Sequence, residues 1–399
     1  MVNRCSSSRK QGMKKQSVLK DVSILNDDVD DEMQSIFTEH MKMGFRWYGE
    51  GNDPIPLAHI KQIPGVTGLV WALHDVPVGE VWSTERIEEV KRQAEAYGFD
   101  IDVVESVNVH EDIKLGKPSR DLYIENYKQT IRNLASVGVK VICYNFMPVF
   151  DWTRTDLYHP LPDGSNALFF EKAMTIDVDV KEVFDRITEG AKGMTMPGFE
   201  PEKRAIIEQL FEEYQGMTEE KMFANAKYFL DAIIPICEEC DIKMGIHPDD
   251  PPWDIFGLPR LIKSAENIQK YLNLNPSPNN GLTFCSGSLG AGRHNDPAEI
   301  IRRFGDRIHF AHIRNVKHFT NGDFIESSHR NCDGDVDITD VVRALHDIGF
   351  TGYARPDHGR HIWGEEAVCR PGYGLYDRAL GVMYLWGAWD TLVQNEARR

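Results

Sequence analysis

Four side chains that could bind a metal follow one another along the second half of the chain. His247, Cys285, His312 and Asp357 each stand at or just after the end of a short apolar segment, and successive segments are about one βα unit apart. Imidazole and thiolate favour Zn, Fe, Ni or Cu, and a carboxylate also suits Mn and Mg. A single histidine or cysteine in such a segment is more often a packing residue. From the pattern alone, a shared divalent-metal site and four separate structural roles both remain open.

Three further side chains are candidates for binding a substrate. Arg46 lies at the end of the first apolar segment, where it could form a bidentate pair with a carboxylate or a salt bridge at the rim. His110 follows the third segment and Asn145 lies at the end of the fourth. A hydrogen bond to a substrate and ordinary capping of a loop would each explain these two residues.

The segments that must position these residues alternate with amphipathic, helical stretches. This alternation predicts βα units and a parallel sheet, and eight strands are the number that closes a barrel. We therefore predict an α/β fold, a (β/α)8 TIM barrel, with a doubly wound open sheet as the competing architecture. In a barrel the four metal-binding candidates would meet at the rim formed by the C-terminal ends of the strands. The predicted strands are 43–48, 66–73, 100–106, 140–146, 243–247, 281–285, 308–313 and 352–356.

Two parts of the chain do not fit the βα repeat. Residues 1–40 are polar and lack periodicity, so we predict a flexible N-terminal extension or tag, followed by a single barrel domain over 41–399. About residues 148–217 separate the fourth strand from its helix. A long connection on this side of a barrel is more often functional than random. We interpret this insertion as a lid or as a contact in a homodimer.

Composition narrows the class of partner and the compartment. The formal net charge of −17 argues against a nucleic-acid partner, because binding phosphates needs a basic surface. No apolar run approaches the roughly 18 residues that a membrane span needs, and the N-terminus lacks the apolar core of a secretory signal. The seven cysteines are odd in number and irregularly spaced, which is typical of a reducing compartment. We therefore predict a cytoplasmic protein that binds neither nucleic acid nor membranes.

Several segments of the sequence resemble mannonate dehydratases, from about Met41 to the C-terminal region. The resemblance implies a xylose-isomerase-like barrel that uses Mn²⁺ or Fe²⁺. It also implies the substrate, the sugar acid D-mannonate, which loses water in hexuronate catabolism to give 2-dehydro-3-deoxy-D-gluconate. The segments are GFRWYG (44–49), ESVNVHEDIK (105–114), CYNFMPVFDWTRTDL (143–157), GIHPDDPPW (245–253), FCSGSLG (284–290), RPDHGR (355–360) and PGYGLYDRA (371–379).

The same resemblance implies roles for individual residues. The metal ligands would be the four residues named at the outset: His247, Cys285, His312 and Asp357. His358 and Tyr373 match positions associated with proton transfer, and which of them is the acid and which the base stays open. The chain departs from the family pattern in the extra Cys369 near Tyr373, which could make the enzyme sensitive to oxidation.

Two other functions compete with a dehydratase. A metal-dependent sugar isomerase or epimerase would abstract the same proton at C2, but such enzymes mostly have carboxylate-rich sites, so Cys285 argues against one. A non-catalytic sugar-acid sensor would not need reactive side chains, and their presence here argues against that alternative. The metal content of the purified protein distinguishes an enzyme from a sensor, which should purify without stoichiometric metal.

Overall fold

Eight parallel strands of this chain close into a barrel. The computed structural model describes residues 41–176, 179–190 and 201–398, and the predicted extension over 1–40 lies outside them. The barrel strands follow the order β1-β2-β3-β4-β7-β8-β9-β12, and parallel pairing of β12 with β1 closes the sheet. This closure confirms the predicted barrel and excludes the open doubly wound sheet. Numbered in chain order, its strands are β1 (Lys42–Arg46), β2 (Val66–Trp71), β3 (Asp100–Glu105), β4 (Val141–Tyr144), β7 (Lys243–Ile246), β8 (Asn280–Cys285), β9 (Ile308–Ile313) and β12 (Tyr353–Pro356).

The other four strands form a second, antiparallel sheet that the sequence analysis did not predict. β5 (Asp156–Pro160) and β6 (Asn166–Phe170) belong to the long connection after β4, while β10 (Asn315–His318) and β11 (Phe324–Ser327) follow β9. The strand order is β10-β11-β6-β5. Phe324 on β11 pairs with Phe170 on β6, and their rings stack with centroids 5.2 Å apart. Two connections that are far apart in the sequence therefore form one layer.

Helices alternate with the barrel strands and cover them. Ser83 and Thr218 begin two of these helices, and each side-chain oxygen accepts a hydrogen bond from a backbone N–H of the first turn, as expected of N-cap residues. None of the helices in the described ranges is long and apolar enough to span a membrane. The helices are α1 (Leu57–Ile60), α2 (Thr84–Glu95), α3 (Glu111–Leu115), α4 (Arg120–Val137), α5 (Val180–Gly190), α6 (Pro201–Glu213), α7 (Glu219–Cys240), α8 (Ala265–Leu272), α9 (Ser286–Ala291), α10 (Pro297–Phe304), α11 (Ile338–Asp347) and α12 (Leu375–Ala397).

A small apolar cluster lies apart from the main core and is contributed by five different barrel strands. Its buried members are Val70, Val103, Cys143, Phe310 and Tyr353. Side chains two positions apart on a strand point to the same face. The next residues on this face therefore follow the cluster at the C-terminal ends of the strands, where the polar site begins.

Candidate active site

Polar side chains stand two residues beyond the apolar cluster on three of its strands. Glu105 follows Val103 on β3, His312 follows Phe310 on β9, and Arg355 follows Tyr353 on β12. His312 also pairs in register with Cys285 on one side and with Arg355 on the other. On these strands the side chains that face the barrel interior therefore change from apolar to polar or charged over two residues.

The four predicted metal ligands lie together at this rim. His247 Nε2 is 3.1 Å from His312 Nδ1, and the ligand atoms of His247, Cys285 and His312 all lie within 4.8 Å of one another. Asp357 Oδ2 is 3.5 Å from Cys285 Sγ and 3.9 Å from His312 Nδ1. Residues from four separate strand ends therefore converge on one point.

Hydrogen bonds on the outer side of the two imidazoles fix their tautomers. His247 Nδ1 donates to the Pro248 carbonyl oxygen at 2.7 Å, and His312 Nε2 donates to Glu105 Oε2 at 3.0 Å. The remaining nitrogens, His247 Nε2 and His312 Nδ1, then present lone pairs toward each other. Such outer-shell partners are typical of metal-binding histidines. The donor set fits a divalent cation better than it fits a hydrogen-bonded histidine pair.

The surroundings of the Cys285 sulfur and the Asp357 carboxylate also suit the binding of a metal. Ser288 donates to Cys285 Sγ from its hydroxyl at 3.0 Å and from its backbone N–H at 3.4 Å, and these two hydrogen bonds fix the position of the sulfur. Burial raises the pKa of Asp357, but the interactions of this carboxylate with His358 and Arg355 outweigh burial and hold this pKa well below its usual range. Asp357 is therefore anionic at neutral pH.

His358 and Tyr373 form a hydrogen-bonded pair beside the four ligands. His358 Nε2 lies 3.1 Å from the Tyr373 hydroxyl, and its Nδ1 donates to Glu326 Oε1 at 2.8 Å. Arg154 and Arg314 bind the same Glu326 oxygen at 2.8 and 2.6 Å. His358 Nε2 is consequently the nitrogen that can accept a proton.

The environment of Tyr373 keeps its phenol protonated. Burial raises the pKa of this hydroxyl well above its usual value, and the neighbouring Tyr48 adds to the effect. The positive charge of Arg355 opposes this rise without reversing it. Tyr373 therefore carries its proton at neutral pH.

One cavity of about 600 Å³ is lined by three of the predicted ligands, by the His358–Tyr373 pair and by the three predicted substrate-binding residues; the three ligands are His247, His312 and Asp357. Arg46, His110 and Asn145 all line it. His110 Nδ1 accepts from the Asp112 N–H at 3.1 Å, and Asn145 Oδ1 accepts from the Met147 N–H at 3.2 Å. His110 and Asn145 thus each use one side-chain atom to cap a loop, and both also line the cavity. Loop capping and a hydrogen bond to a substrate, the two interpretations left open by the sequence, are therefore compatible.

The charged residues that surround the predicted ligands were not predicted from the sequence. Glu105, Arg314, Arg355 and Glu326 are each within hydrogen-bond distance of a predicted ligand or of His358. Glu105 and Arg355 could have been found, because each stands two positions after an apolar residue that faces the barrel interior. Glu326 carried no such signal, since β11 was not recognised as a strand.

The thiol of Cys369 is protected. Its side chain is buried, and burial together with the nearby Glu365 raises its pKa to about 11. A protonated, buried thiol reacts slowly with oxidants. This environment contradicts the sensitivity to oxidation that we predicted at this position.

Comparisons with known proteins agree with this geometry. The profile of the D-mannonate dehydratase family matches residues 41–399. Mannonate dehydratase 1 of Halalkalibacterium halodurans is 62% identical over 358 residues, which cover 90% of this chain and 98% of the relative. Mannonate dehydratase of Bacillus subtilis is 57% identical over 88% of this chain and 97% of its own length.

Solved structures show the same relationship. The mannonate dehydratase of Streptococcus suis serotype 2 superposes with a TM-score of 0.81 at 47% identity, covering 90% of this chain and 96% of that one. A xylose isomerase domain protein from Planctomyces limnophilus, at 12% identity and a TM-score of 0.51 over 89% of this chain and 99% of its own, shares the fold alone. By its sequence, its barrel and the residues at its rim, the chain belongs to the D-mannonate dehydratase family.

Proposed function

We propose that this protein is a metal-dependent mannonate dehydratase that converts D-mannonate to 2-dehydro-3-deoxy-D-gluconate and water in hexuronate catabolism. The observation that carries this proposal is the His358–Tyr373 pair, joined at 3.1 Å, which shares one cavity with His247, His312 and Asp357. Removing water next to a carboxylate needs a base for the C2 proton and an acid for the departing 3-hydroxyl. The pair offers both groups at one place.

We propose Mn²⁺ or Fe²⁺ as the metal, held by His247, Cys285, His312 and Asp357. The support is the donor chemistry described above: two oriented imidazole nitrogens, a sulfur that accepts two hydrogen bonds and a carboxylate kept anionic. When bound, such an ion acts as a Lewis acid that stabilises the negative charge developing on the sugar acid.

Within the pair, we propose His358 as the base and Tyr373 as the acid. Because the Nδ1–H of His358 donates a hydrogen bond to Glu326, Nε2 carries the lone pair that can take the C2 proton. Because the pKa of Tyr373 is raised, its phenol holds the proton that the leaving hydroxide needs. The enol product then rearranges to the keto acid.

We propose Arg46, His110 and Asn145 as substrate-binding residues. Each lines the cavity. His110 Nε2 and Asn145 Nδ2 make no hydrogen bond to another described residue, so both atoms are available to sugar hydroxyls. The single-domain organisation of 41–399, the cytoplasmic location and a homodimer stay predictions.

An assay for 2-keto acid formation tests the function. The purified protein is stripped of metal, restored with Mn²⁺ or Fe²⁺, and offered D-mannonate beside D-gluconate and D-altronate. We expect metal-dependent keto acid from D-mannonate alone. Tyr373→Phe serves as the control, because it should retain the metal and the fold but lose turnover. Stoichiometric metal without keto acid from any substrate would overturn the dehydratase and favour the sugar isomerase.

A further inference from the structure

A buried guanidinium that forms no ion pair with a carboxylate of the described residues lies in the wall of the cavity. Arg46 ends β1 and is 3% exposed. Its Nε and Nη1 atoms are buried and make no hydrogen bond. Among the residues that the structure describes, no carboxylate forms an ion pair with this guanidinium. Its Nη2 donates a hydrogen bond to His74 Nε2 at 3.2 Å.

Two buried arginines beside the predicted metal ligands are neutralised by carboxylates. Arg355 binds Glu105 at 2.8 Å, and Arg314 binds Asp250 at 2.6 Å. An uncompensated buried charge is unfavourable unless a partner arrives. The contrast indicates that the counter-charge of Arg46 comes from a ligand.

His74 orients the guanidinium without neutralising it. Burial lowers the pKa of His74 well below its usual value, and the charges of Arg46 and Arg370 push it in the same direction. The imidazole is therefore neutral, and its Nε2 accepts from Arg46. The ring of Tyr48 lies against both residues, 4.6 Å from Arg46 Cζ and 5.1 Å from the His74 centroid.

We infer that Arg46, oriented by His74, is the subsite that binds the substrate carboxylate and restricts the cavity to sugar acids rather than neutral sugars. The inference rests on the proposed function, which supplies a sugar acid as the substrate. The edge of the Tyr48 ring packs on Tyr373 with centroids 5.1 Å apart, so this subsite adjoins the proton-transfer pair. His74 is a positioning residue.

The test compares an acid with its neutral analogue. Binding of D-mannonate and of D-mannonamide, in which the carboxylate is an amide, is measured by calorimetry on metal-loaded Tyr373→Phe protein with and without Arg46→Met. We expect Arg46→Met to weaken D-mannonate binding by about tenfold to hundredfold, the range for losing a hydrogen bond to a charged group. Binding of the amide should change far less. Equal losses for both ligands, or no loss for the acid, would overturn the subsite.

A second set of variants tests the role of His74 and guards against misfolding. His74→Phe keeps a ring beside Tyr48 but removes the acceptor, whereas His74→Gln keeps an acceptor. In the wild-type background we expect His74→Phe to raise the KM for D-mannonate with kcat nearly retained, and His74→Gln to restore the KM. A normal KM in His74→Phe, or no restoration in His74→Gln, would refute the positioning role. If Arg46→Met does not fold, Arg46→Lys replaces it, with a smaller loss expected for the acid alone.

This design separates the inference from the proposed function. Calorimetry reports binding whether or not the enzyme turns over. A wild-type protein that binds D-mannonate through Arg46 but forms no keto acid would fail as a dehydratase and still support the carboxylate subsite. Keto acid formation that survives Arg46→Met with an unchanged KM would support the dehydratase and refute the subsite.

Discussion

Glu105 stands behind a predicted metal ligand, and replacing it by glutamine should weaken metal binding. Its Oε2 accepts from His312 Nε2 at 3.0 Å, and its two oxygens bind Arg355 at 2.8 and 3.1 Å. Burial raises the pKa of Glu105, but Arg355 and His312 outweigh it and hold this pKa well below its usual range. The carboxylate is therefore charged. Glutamine keeps its shape but loses the charge and one of the two acceptors.

The magnitude follows from these contacts. Loss of an outer-shell partner typically costs 10- to 100-fold in metal affinity, or about 1.4–2.8 kcal/mol. Breaking a buried ion pair costs about 3–5 kcal/mol when the remaining charge is left alone. Arg355 is not left alone, because its Nη1 also lies 3.0 Å from Asp357 Oδ1. We therefore expect the free energy of unfolding to fall by less than about 3 kcal/mol.

The assay is a Mn²⁺ titration by calorimetry or chelator competition, with urea unfolding of the metal-free protein measured in parallel. Glu111→Gln is the matched control. Glu111 lines the same cavity and is bonded to Lys114 at 3.1 Å and to Tyr214 at 2.6 Å, but it contacts none of the four ligands. It should lower stability and spare metal affinity. Wild-type affinity in Glu105→Gln, or an equal loss in Glu111→Gln, would refute the reasoning.

Three further predictions concern the ligand sulfur, a loop glycine and the free thiols. Cys285→Ser should strongly lower the metal content measured by elemental analysis, and normal metal retention would exclude this thiol as a ligand. Gly372→Ala should cost about 1–3 kcal/mol in chemical unfolding and lower kcat more than metal affinity. Its φ is +76°, and a Cβ there would lie 2.7 Å from a side chain of the second sheet, next to Tyr373. In peptide mapping after thiol labelling, exposed Cys332 should react quickly and buried Cys369 slowly, and rapid modification of Cys369 would contradict its burial.

The barrel could be predicted from the sequence because its signals are local. Each barrel strand is a short apolar run with turn residues on both sides, and eight such runs alternate with helices. The second sheet lacks these signals. β10 and β11 are four residues each and contain polar residues such as Asn315 and Glu326. β11 becomes a strand by pairing with β6, far away in the sequence, which no local pattern reveals.

The predicted ligands also carry local sequence signals, whereas some of the charged residues around them do not. His247 and Cys285 could be placed because strand ends meet at one rim of a barrel. Glu326 could not, because a glutamate in a polar segment normally predicts a solvated side chain. It is fully buried here, since Arg154 and Arg314 reach it from two different connections.

The shared sheet has a consequence for attempts to move this chemistry onto another barrel. Glu326 reaches His358 from β11, and β11 is held by β6, which lies in the connection after a different barrel strand. A chimera that received only the connection after β9 would bring β11 without its partner strand. The two connections therefore form one unit of exchange, and productive crossovers between relatives should fall outside both of them or take both from the same parent.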